Sequence, residues 1–409
     1  MRILLFGKGI SNNALHQFLI RYKIDHDFCD LNEKVNFDYD LVVKGPGLSY
    51  DNEVIKNFMA RKVSIVDDIE LVYRLLNRDY IAVTGTNGKT TTVRLIEALL
   101  NQKYHAISCG NIGYPIAQAA IDYKDYDYFV LELSSFELLG TVRFTPKIAV
   151  ILNLCEAHLD YHKTVSNYHL AKMKIAFNQT PDEFLIYNAD DAAINAYLAQ
   201  CKAAKYSFSL CNTEANAYFK GCKLYYNNKY VLKIKRLYRK NKGLKYDLLA
   251  SFIVAMLLGI SKKKIKYVFK TFKESKYRLN YIKKGIYNDA KSTNIYSTIM
   301  GLEYLKKKTY LICGGAYRLM DLSLLLKVKD KIKAIFAYGE TKKEIETFCL
   351  KNDIQIEVFE TLEEAFKNVL LIRKSEYILY SPMYPSYDQF NSFYERGALF
   401  NKLVKKLVK

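Results

Sequence analysis

The sequence has no tryptophan, no Cys-x-x-Cys pair among its eight cysteines, no repeat, and no apolar run long enough to cross a bilayer. Such cysteine usage is typical of free, mostly buried thiols in a reducing compartment. The longest apolar stretch, residues 248–260, is too short for a membrane span, and residues 1–7 are too short for a signal peptide. We therefore expect a cytoplasmic protein without membrane insertion and, since low-complexity tracts are absent, without extended disorder.

Acidic residues are scarce relative to basic ones: 42 Asp and Glu stand against 62 Lys and Arg, which gives a formal net charge of +20. Such a balance is compatible with nucleic-acid binding, or with a general lysine excess that keeps the protein soluble and attracts anionic metabolites. The lysines are scattered, with short runs at 261–266, 306–308 and 401–409, and no recognisable nucleic-acid module accompanies them. We therefore expect small-molecule substrates and no nucleic-acid partner.

Apolar runs alternate with helical patterns along all 409 residues, which predicts an α/β fold with parallel sheets. Three domains are expected, at 1–78, 79–270 and 271–409. Short alternating runs at 204–236, with an Asn-Asn turn at 227–228, predict a small antiparallel sheet within the second domain.

The most informative segment is a glycine turn between a predicted buried strand at 80–84 and a helical pattern. The glycines let successive N–H groups point at one anion, and the helix offers its positive N-terminus to the same anion. Lys89 adds a charge for terminal phosphates, and the Thr90 hydroxyl can hold Mg²⁺. The alternative is an ordinary glycine turn between a strand and a helix, but such a turn would not explain the Lys-Thr pair, which has no packing purpose at the start of the helix. The predicted ATP-binding residues of this turn are Gly85, Thr86, Asn87, Gly88, Lys89, Thr90 and Thr91.

A second glycine turn, at residues 7–12, follows the first predicted strand, and Asp30 closes the next one. A turn of this kind can hold nucleotide phosphates, and a carboxylate at that position can bind a ribose or a base. Ser11 and Asp30 are therefore candidate nucleotide-binding residues. The alternative is a turn with no function beyond reversing the chain.

Polar residues also follow later strands of the second domain. Glu132 lies late in a buried strand and can coordinate Mg²⁺ opposite Thr90, although an edge glutamate paired with a lysine is an alternative. Two histidines and an aspartate at 158–162 could suggest zinc, but a single histidine, His158, near a second Mg²⁺ fits better. From its own surroundings in the sequence, Lys172 is interpreted as a solvated helix lysine.

Six motifs follow one another in an order that resembles the central domain of the Mur ligase family: GTNGKTT, GNIGYP, ELSSFEL, NLCEAHLD, YHLAK and YNAD. The resemblance extends over nearly the whole chain. It implies an ATP-dependent amide ligase of peptidoglycan precursor synthesis, with a central P-loop ATPase domain between two Rossmann-like domains. The roles it implies are catalysis by Lys89, His158 and Lys172, metal binding by Thr90, Glu132, His158 and a carbamylated Lys172, and nucleotide-sugar contacts by Ser11, Asp30, Asn111 and Ser134.

Two C-terminal segments, 288–294 (NDAKSTN) and 381–390 (SPMYPSYDQF), resemble the branch of the family that adds D-glutamate. The resemblance implies that D-glutamate is joined to UDP-N-acetylmuramoyl-L-alanine, with Arg278 and Asp289 in contact with ATP. A dicarboxylate substrate needs a cation, hydroxyls and backbone donors. The residues implied for its pocket are Lys291, Thr293, Arg318, Ser386, Tyr387 and Phe393.

Three positions depart from the family pattern: Arg318 replaces a lysine, residues 245–247 (Lys-Tyr-Asp) replace a His-Asn pair near the adenine, and Gly45 replaces a serine before Pro-Gly. One alternative is a folylpolyglutamate synthase, which lacks the first domain and the segment at 386–390. A basic P-loop protein that moves on nucleic acid and a degenerate ligase retained for binding are the others. We expect a monomer that uses ATP and two Mg²⁺ ions.

Overall fold

A computed structural model of the chain describes residues 2–76, 78–123, 125–234, 241–273 and 276–408. Packing divides the chain into two compact units: Met1–Glu156 with Tyr161–Phe272, and Ala157–Asp160 with Lys273–Lys409. None of the helices within the described ranges combines the length and the apolar character that crossing a bilayer requires.

The first sheet and its helices consist, in chain order, of β1 (Ile3–Phe6), α1 (Ile10–Arg21), β2 (Asp27–Cys29), β3 (Leu41–Lys44), α2 (Glu53–Ala60), β4 (Ser64–Val66) and α3 (Asp68–Leu75). The strands are parallel and lie in the order β2-β1-β3-β4. The central strands β1 and β3 are buried on both faces, as the continuous apolar run in each predicts.

The side chain of Glu70 in α3 connects the helices of the first sheet to residues 142–144 by hydrogen bonds. Its carboxylate accepts hydrogen bonds from the backbone N–H groups of Val142, Arg143 and Phe144, each at 2.9–3.0 Å. The Arg74 guanidinium donates to it as well, at 2.7 Å. Charge-assisted bonds of this kind are stronger than neutral ones, so they fix the position of the segment that donates to Glu70.

The middle of the chain contains β5 (Asp79–Thr84), α4 (Lys89–Leu100), β6 (Ala106–Gly110), α5 (Ile116–Asp122), β7 (Tyr128–Glu132), α6 (Ser135–Leu139), β8 (Ile148–Ile151), α7 (Leu159–His162), α8 (Val165–Phe177), β9 (Phe184–Asn188), α9 (Ala192–Asn195), a 3-10 helix (Leu198–Gln200), β10 (Ala204–Ser209), β11 (Ala217–Lys220), β12 (Lys223–Tyr226), β13 (Lys229–Lys233), α10 (Lys242–Leu257) and α11 (Lys262–Thr271). The strands form one sheet in the order β13-β12-β11-β10-β9-β8-β5-β7-β6. Neighbours are parallel from β6 to β11, and β12 and β13 are antiparallel additions at the edge.

The predicted Asn-Asn turn is confirmed: Asn227 and Asn228 have φ of +45° and +61° and connect the paired residues Tyr226 and Lys229. Asparagine tolerates these angles, which two-residue hairpin turns require. The antiparallel region is shorter than expected, because β10 pairs in parallel with both of its neighbours. The antiparallel strands β12 and β13 also belong to the large sheet and do not form a separate one. Alternation of apolar residues specifies a strand but not its direction. Residues 235 and 236 of the predicted region lie outside the described residues.

The second unit contains β14 (Asn280–Lys283), β15 (Ile286–Asn288), α12 (Ile295–Tyr304), β16 (Thr309–Gly314), a 3-10 helix (Leu322–Lys331), β17 (Ile332–Tyr338), α13 (Lys342–Lys351), β18 (Ile356–Phe359), α14 (Leu362–Ile372), β19 (Tyr377–Tyr380) and α15 (Phe393–Leu407). The order is β14-β15-β19-β16-β17-β18, parallel except for β14. The predicted α/β class with mostly parallel sheets is confirmed. The domain boundaries at 78 and 270 stay predictions.

Candidate active site

Two glycines shape the turn that follows β5. Gly85 has φ +152° and Gly88 has φ +91°, both in the region that side chains disfavour. A Cβ on Gly88 would lie 2.4 Å from Asp247 Oδ1 and 3.0 Å from Leu152 Cδ1. Gly88 caps α4, so the first N–H groups of that helix face the turn without intrahelical partners. The turn is therefore built to hold an anion at a helix N-terminus.

The residues after β8 hold this turn in shape. The Asn87 N–H donates to Asn153 Oδ1 at 2.8 Å, and Asn153 Nδ2 donates back to the Asn87 carbonyl at 3.0 Å. The Thr86 hydroxyl donates to the Cys155 carbonyl at 3.1 Å and lies 3.2 Å from the Tyr168 hydroxyl. Sequence reasoning included Asn153 and Tyr168 in family motifs but gave them no role. A role for Asn153 could have been predicted, because this polar residue comes just after a buried strand.

Two lysines meet at the carbonyl of Gly85. Lys89 Nζ donates to it at 2.7 Å and to the Thr86 carbonyl at 3.1 Å. Lys172 Nζ, from α8, donates to the same Gly85 carbonyl at 3.1 Å. Lys172 is only 2% exposed, so its interpretation as a solvated helix lysine is wrong. Burial, and then the charge of Lys89, hold the pKa of Lys172 well below its ordinary value, which favours a neutral amine.

Glu132, the last residue of β7, pairs in register with Val83, two residues before the phosphate turn (residues 85–91). Its side chain is 5% exposed, and Oε2 has no hydrogen-bond partner among the described residues. A buried carboxylate oxygen without a donor is costly unless a cation binds it. The described residues contain no group of three or more His, Cys, Asp and Glu side chains arranged to hold a metal ion. A cation at Glu132 would therefore need other oxygen ligands, such as a threonine hydroxyl or phosphate.

His158 lies in the segment Ala157–Asp160, which packs with the second unit, and has φ +57°. Its predicted metal role stays a prediction. His162, the other histidine of this segment, is buried, with Nε2 2.9 Å from Ser135 Oγ.

Ser134 caps α6, and its hydroxyl and the Glu137 carboxylate form a capping box. A nucleotide-sugar contact of Ser134 would use its remaining hydrogen-bonding capacity.

Asp30, one of the nucleotide candidates, lies beside the turn after β1, because β1 and β2 are parallel neighbours. Asp30 Oδ1 accepts from the N–H groups of Leu31 at 2.8 Å and Lys8 at 3.4 Å, which lowers the pKa of Asp30. Ser11 lies half-buried in the first turn of α1, and the Asn111 side chain, after β6, is exposed. The structure thus places Asp30 beside the turn after β1.

In the second unit, Asp289 is buried and its carboxylate is already engaged. It accepts from the Leu279 N–H at 2.9 Å and from the hydroxyls of Ser292 and Ser381, at 2.5 and 3.0 Å. Burial raises the pKa of Asp289, against the effect of these donors. Arg278 Nε is buried without a hydrogen-bond partner in the described part of the chain. Of the two residues predicted to contact ATP, Asp289 is already engaged, whereas Arg278 retains an N–H donor that no described residue uses.

The residues predicted for the amino-acid pocket follow β15, β16 and β19, which are adjacent parallel strands, so they share one edge of the sheet. Lys291 Nζ lies 5.6 Å from the centre of the Phe393 ring, and the Ala316 N–H donates to the Pro385 carbonyl at 3.0 Å. Ser386 is buried and Tyr387 is 75% exposed. Thr293 and Arg318 are half-buried. The geometry brings cationic and hydroxyl side chains to one edge.

Known proteins resemble this chain in both sequence and fold. The family described as the Mur ligase middle domain matches residues 83–259. UDP-N-acetylmuramoylalanine–D-glutamate ligases of Bacillus cereus (strain AH187) and Bacillus thuringiensis (strain Al Hakam) are 38% and 37% identical over 376 residues, which is 90% of this chain and 84% of each relative. Similar folds are the MurF ligase from Thermotoga maritima in complex with ADP (TM-score 0.64, 17% identity, 99% and 95% of the two chains) and a pseudomurein peptide ligase type C from Methanothermus fervidus (TM-score 0.66, 14% identity, 99% of both chains).

Proposed function

This chain belongs to the Mur ligase family, and we propose that it joins D-glutamate to UDP-N-acetylmuramoyl-L-alanine at the expense of ATP. The observation that carries the proposal is 38% identity over 90% of the chain to a ligase of that name. The phosphate turn and the edge of the second unit supply groups suited to the two halves of such a reaction. All the proposed substrates are small molecules.

The chemistry requires activation, because a carboxylate does not condense with an amine unaided. Transfer of the γ-phosphoryl group of ATP to the L-alanyl carboxylate gives an acyl phosphate and ADP. The D-glutamate amine then attacks the acyl carbon, an amide bond forms, and phosphate leaves with the bonding electrons. The N-terminus of α4 and the ammonium of Lys89 offset the negative charge that moves during the first step.

The residues fit Mg²⁺, which supplies charge neutralisation on phosphate oxygens when it is bound. We propose Thr90 and Glu132 as ligands of one ion, since Glu132 Oε2 is buried without a donor. His158 and a carbamylated Lys172 are proposed for a second ion. A neutral lysine amine adds to CO₂ and loses a proton, and the resulting carbamate carries a carboxylate-like charge. The low pKa of Lys172 favours the neutral amine.

The carboxyl edge of the first sheet suits the nucleotide sugar, through Ser11 and Asp30. Asn111 and Ser134 are proposed to contact the sugar and the reacting carboxylate. Arg278 and Asp289 are assigned to ATP. The D-glutamate pocket is assigned to Lys291, Thr293, Arg318, Ser386, Tyr387 and Phe393, in a monomeric enzyme.

The test of the proposed function is phosphate release from ATP and Mg²⁺ with UDP-N-acetylmuramoyl-L-alanine, with and without D-glutamate. We expect release that requires both substrates, and a product heavier by one glutamyl residue in the mass spectrum. L-Glutamate in place of D-glutamate is the control for the attacking amine, and folate in place of UDP-N-acetylmuramoyl-L-alanine is the control for the carboxylate. Phosphate release that depends on folate or on nucleic acid would contradict the proposal.

Replacing Glu132 by glutamine is expected to raise the Mg²⁺ concentration for half-maximal activity by at least about tenfold. The amide keeps the shape of the side chain but removes the charge that Oε2 offers to a cation. A Mg²⁺ titration of the ligation rate measures the shift. Glu97→Gln is the control, since Glu97 lies on α4 and accepts hydrogen bonds from Ser108 instead. An unchanged Mg²⁺ requirement in the Glu132 variant would exclude Glu132 as a ligand.

A further inference from the structure

The positive charge of this chain is concentrated at one edge of the large sheet. Residues 217–234 and 241–273 contain twelve lysines and a single acidic residue, Asp247, which is 6% exposed. This region comprises β11 to β13, with β13 as the edge strand, and the helices α10 and α11. Eleven of the twelve lysines are exposed.

Strand register aligns three of these lysines. Lys220 pairs with Lys223, and Lys223 pairs with Lys233, so the three side chains form a row across β11, β12 and β13. All three are exposed, whereas the opposite face of these strands is buried in the core. Like charges directly opposite one another destabilise a sheet. An anionic partner that covers this surface offsets the repulsion between the lysines, so its binding is favourable.

The helix α11 contacts β13 and carries further lysines. It buries Ile265, Val268 and Phe269 and exposes lysines on its other side. We define the basic edge as the exposed lysines Lys223, Lys229, Lys233, Lys262, Lys266 and Lys270. Within the described ranges, these side chains form no ion pair with an acidic residue.

Aromatic side chains accompany the basic edge. Tyr230 and Tyr267 are 54% and 59% exposed, and tyrosine is favoured where an apolar layer meets water. Tyr218 and Tyr225 stack on each other, with ring centres 5.1 Å apart and an interplanar angle of 3°, so their shared faces are closed to nucleobases. Residues 217–273 of the sequence contain fourteen lysines and two arginines, and lysine offers point charges without the planar geometry that nucleic-acid readout uses.

We propose that the basic edge docks this enzyme on the surface of an anionic phospholipid bilayer. The contact is electrostatic, with Tyr230 and Tyr267 at the level of the headgroups, and no segment inserts across the bilayer. Each lysine near such a surface adds an increment of binding that falls off within a Debye length, about 10 Å at 0.1 M salt. Binding is therefore reversible and sensitive to salt.

The test is co-sedimentation of the full chain with phosphatidylcholine vesicles, with and without phosphatidylglycerol. We expect binding only to the vesicles that contain phosphatidylglycerol, and release as the salt concentration rises. The variant Lys229→Gln/Lys233→Gln/Lys266→Gln should lower the partition constant by about 100-fold. The matched control is Lys402→Gln/Lys405→Gln/Lys406→Gln, which removes the same charge from exposed positions of α15 and should bind nearly as the wild type does.

Three results would overturn the proposal. Absence of vesicle binding at low salt would leave the lysines as protection of a sheet edge against strand addition. Equal weakening in both variants would show that net charge alone is responsible. Binding of a single-stranded oligonucleotide that depends on the basic edge, without binding to vesicles, would identify a nucleic-acid surface. Ligation activity, which should be unchanged in both variants, reports that each is folded.

Discussion

Replacing Lys172 by alanine is expected to lower kcat of the ligation by about 10³-fold. The side chain is buried beside the phosphate turn and donates a hydrogen bond to the Gly85 carbonyl, and burial lowers its pKa. Alanine removes both this contact and the group proposed to become a metal-binding carbamate. Steady-state kinetics at saturating substrates measures the loss. A thermal unfolding curve separates it from a general loss of structure.

Two further measurements decide how Lys172 acts. Lys172→Arg keeps a cation but cannot form the carbamate, so it should be nearly as inactive as Lys172→Ala. Carbon NMR with labelled bicarbonate should show a carbamate signal in the wild type that is missing from both variants. Arginine that restores activity would mean that Lys172 acts as a cation, and would refute the carbamate.

The carbamate of Lys172 is expected to form at lower pH than a carbamate on an exposed lysine would. Because the pKa of Lys172 is lowered, its neutral amine is available at lower pH than that of an exposed lysine. The charge of Lys89 contributes to this lowering. Lys89→Met should therefore raise the pKa of Lys172 and shift the appearance of the carbamate signal to higher pH.

Replacing Gly314 by alanine is expected to destabilise the second unit by about 3 kcal/mol or more. Gly314 ends β16 with φ +133°, and a Cβ there would lie 1.9 Å from the carbonyl oxygen of Tyr338. Tyr338 is its register partner in β17, so neither backbone can move without opening the pair. Urea unfolding measures the free-energy change.

Gly221→Ala is the control for backbone strain alone. Gly221 has φ +64° between β11 and β12, and a Cβ there would meet no atom within 4 Å. Its expected cost is about 1 kcal/mol. Equal costs for the two variants would show that the contact with Tyr338 contributes nothing. The Gly314 variant should also weaken D-glutamate binding, because the segment that carries Arg318 begins at this residue.

The sequence predicted those parts of the site that depend on local backbone. The phosphate turn needed glycines, a following helix and a preceding apolar strand, and all three are visible in a window of about 20 residues. The turn at Asn227 and Asn228 was predicted for the same reason. Polar residues at strand ends also reached a common edge as expected, since parallel strands all end on one side.

Interactions that depend on tertiary packing were not predictable in this way. Nothing around Lys172 in the sequence shows that its helix turns it toward Gly85 rather than toward solvent. The hydrogen bonds that occupy Asp289 come from residues as distant as Ser381, 92 positions along the chain. The capping role of Ser134, by contrast, is local, because the helix that it caps begins at the next residue.

The four donors gathered by Glu70 have a consequence for the exchange of domains between relatives. A chimera that takes its first 78 residues from another ligase inherits the acceptor from one parent and the N–H groups of residues 142–144 from the other. The backbone N–H groups are supplied by any residue except proline, so the contact depends on a carboxylate at position 70. The N-terminal sheet is therefore interchangeable only with that of a relative that keeps this carboxylate.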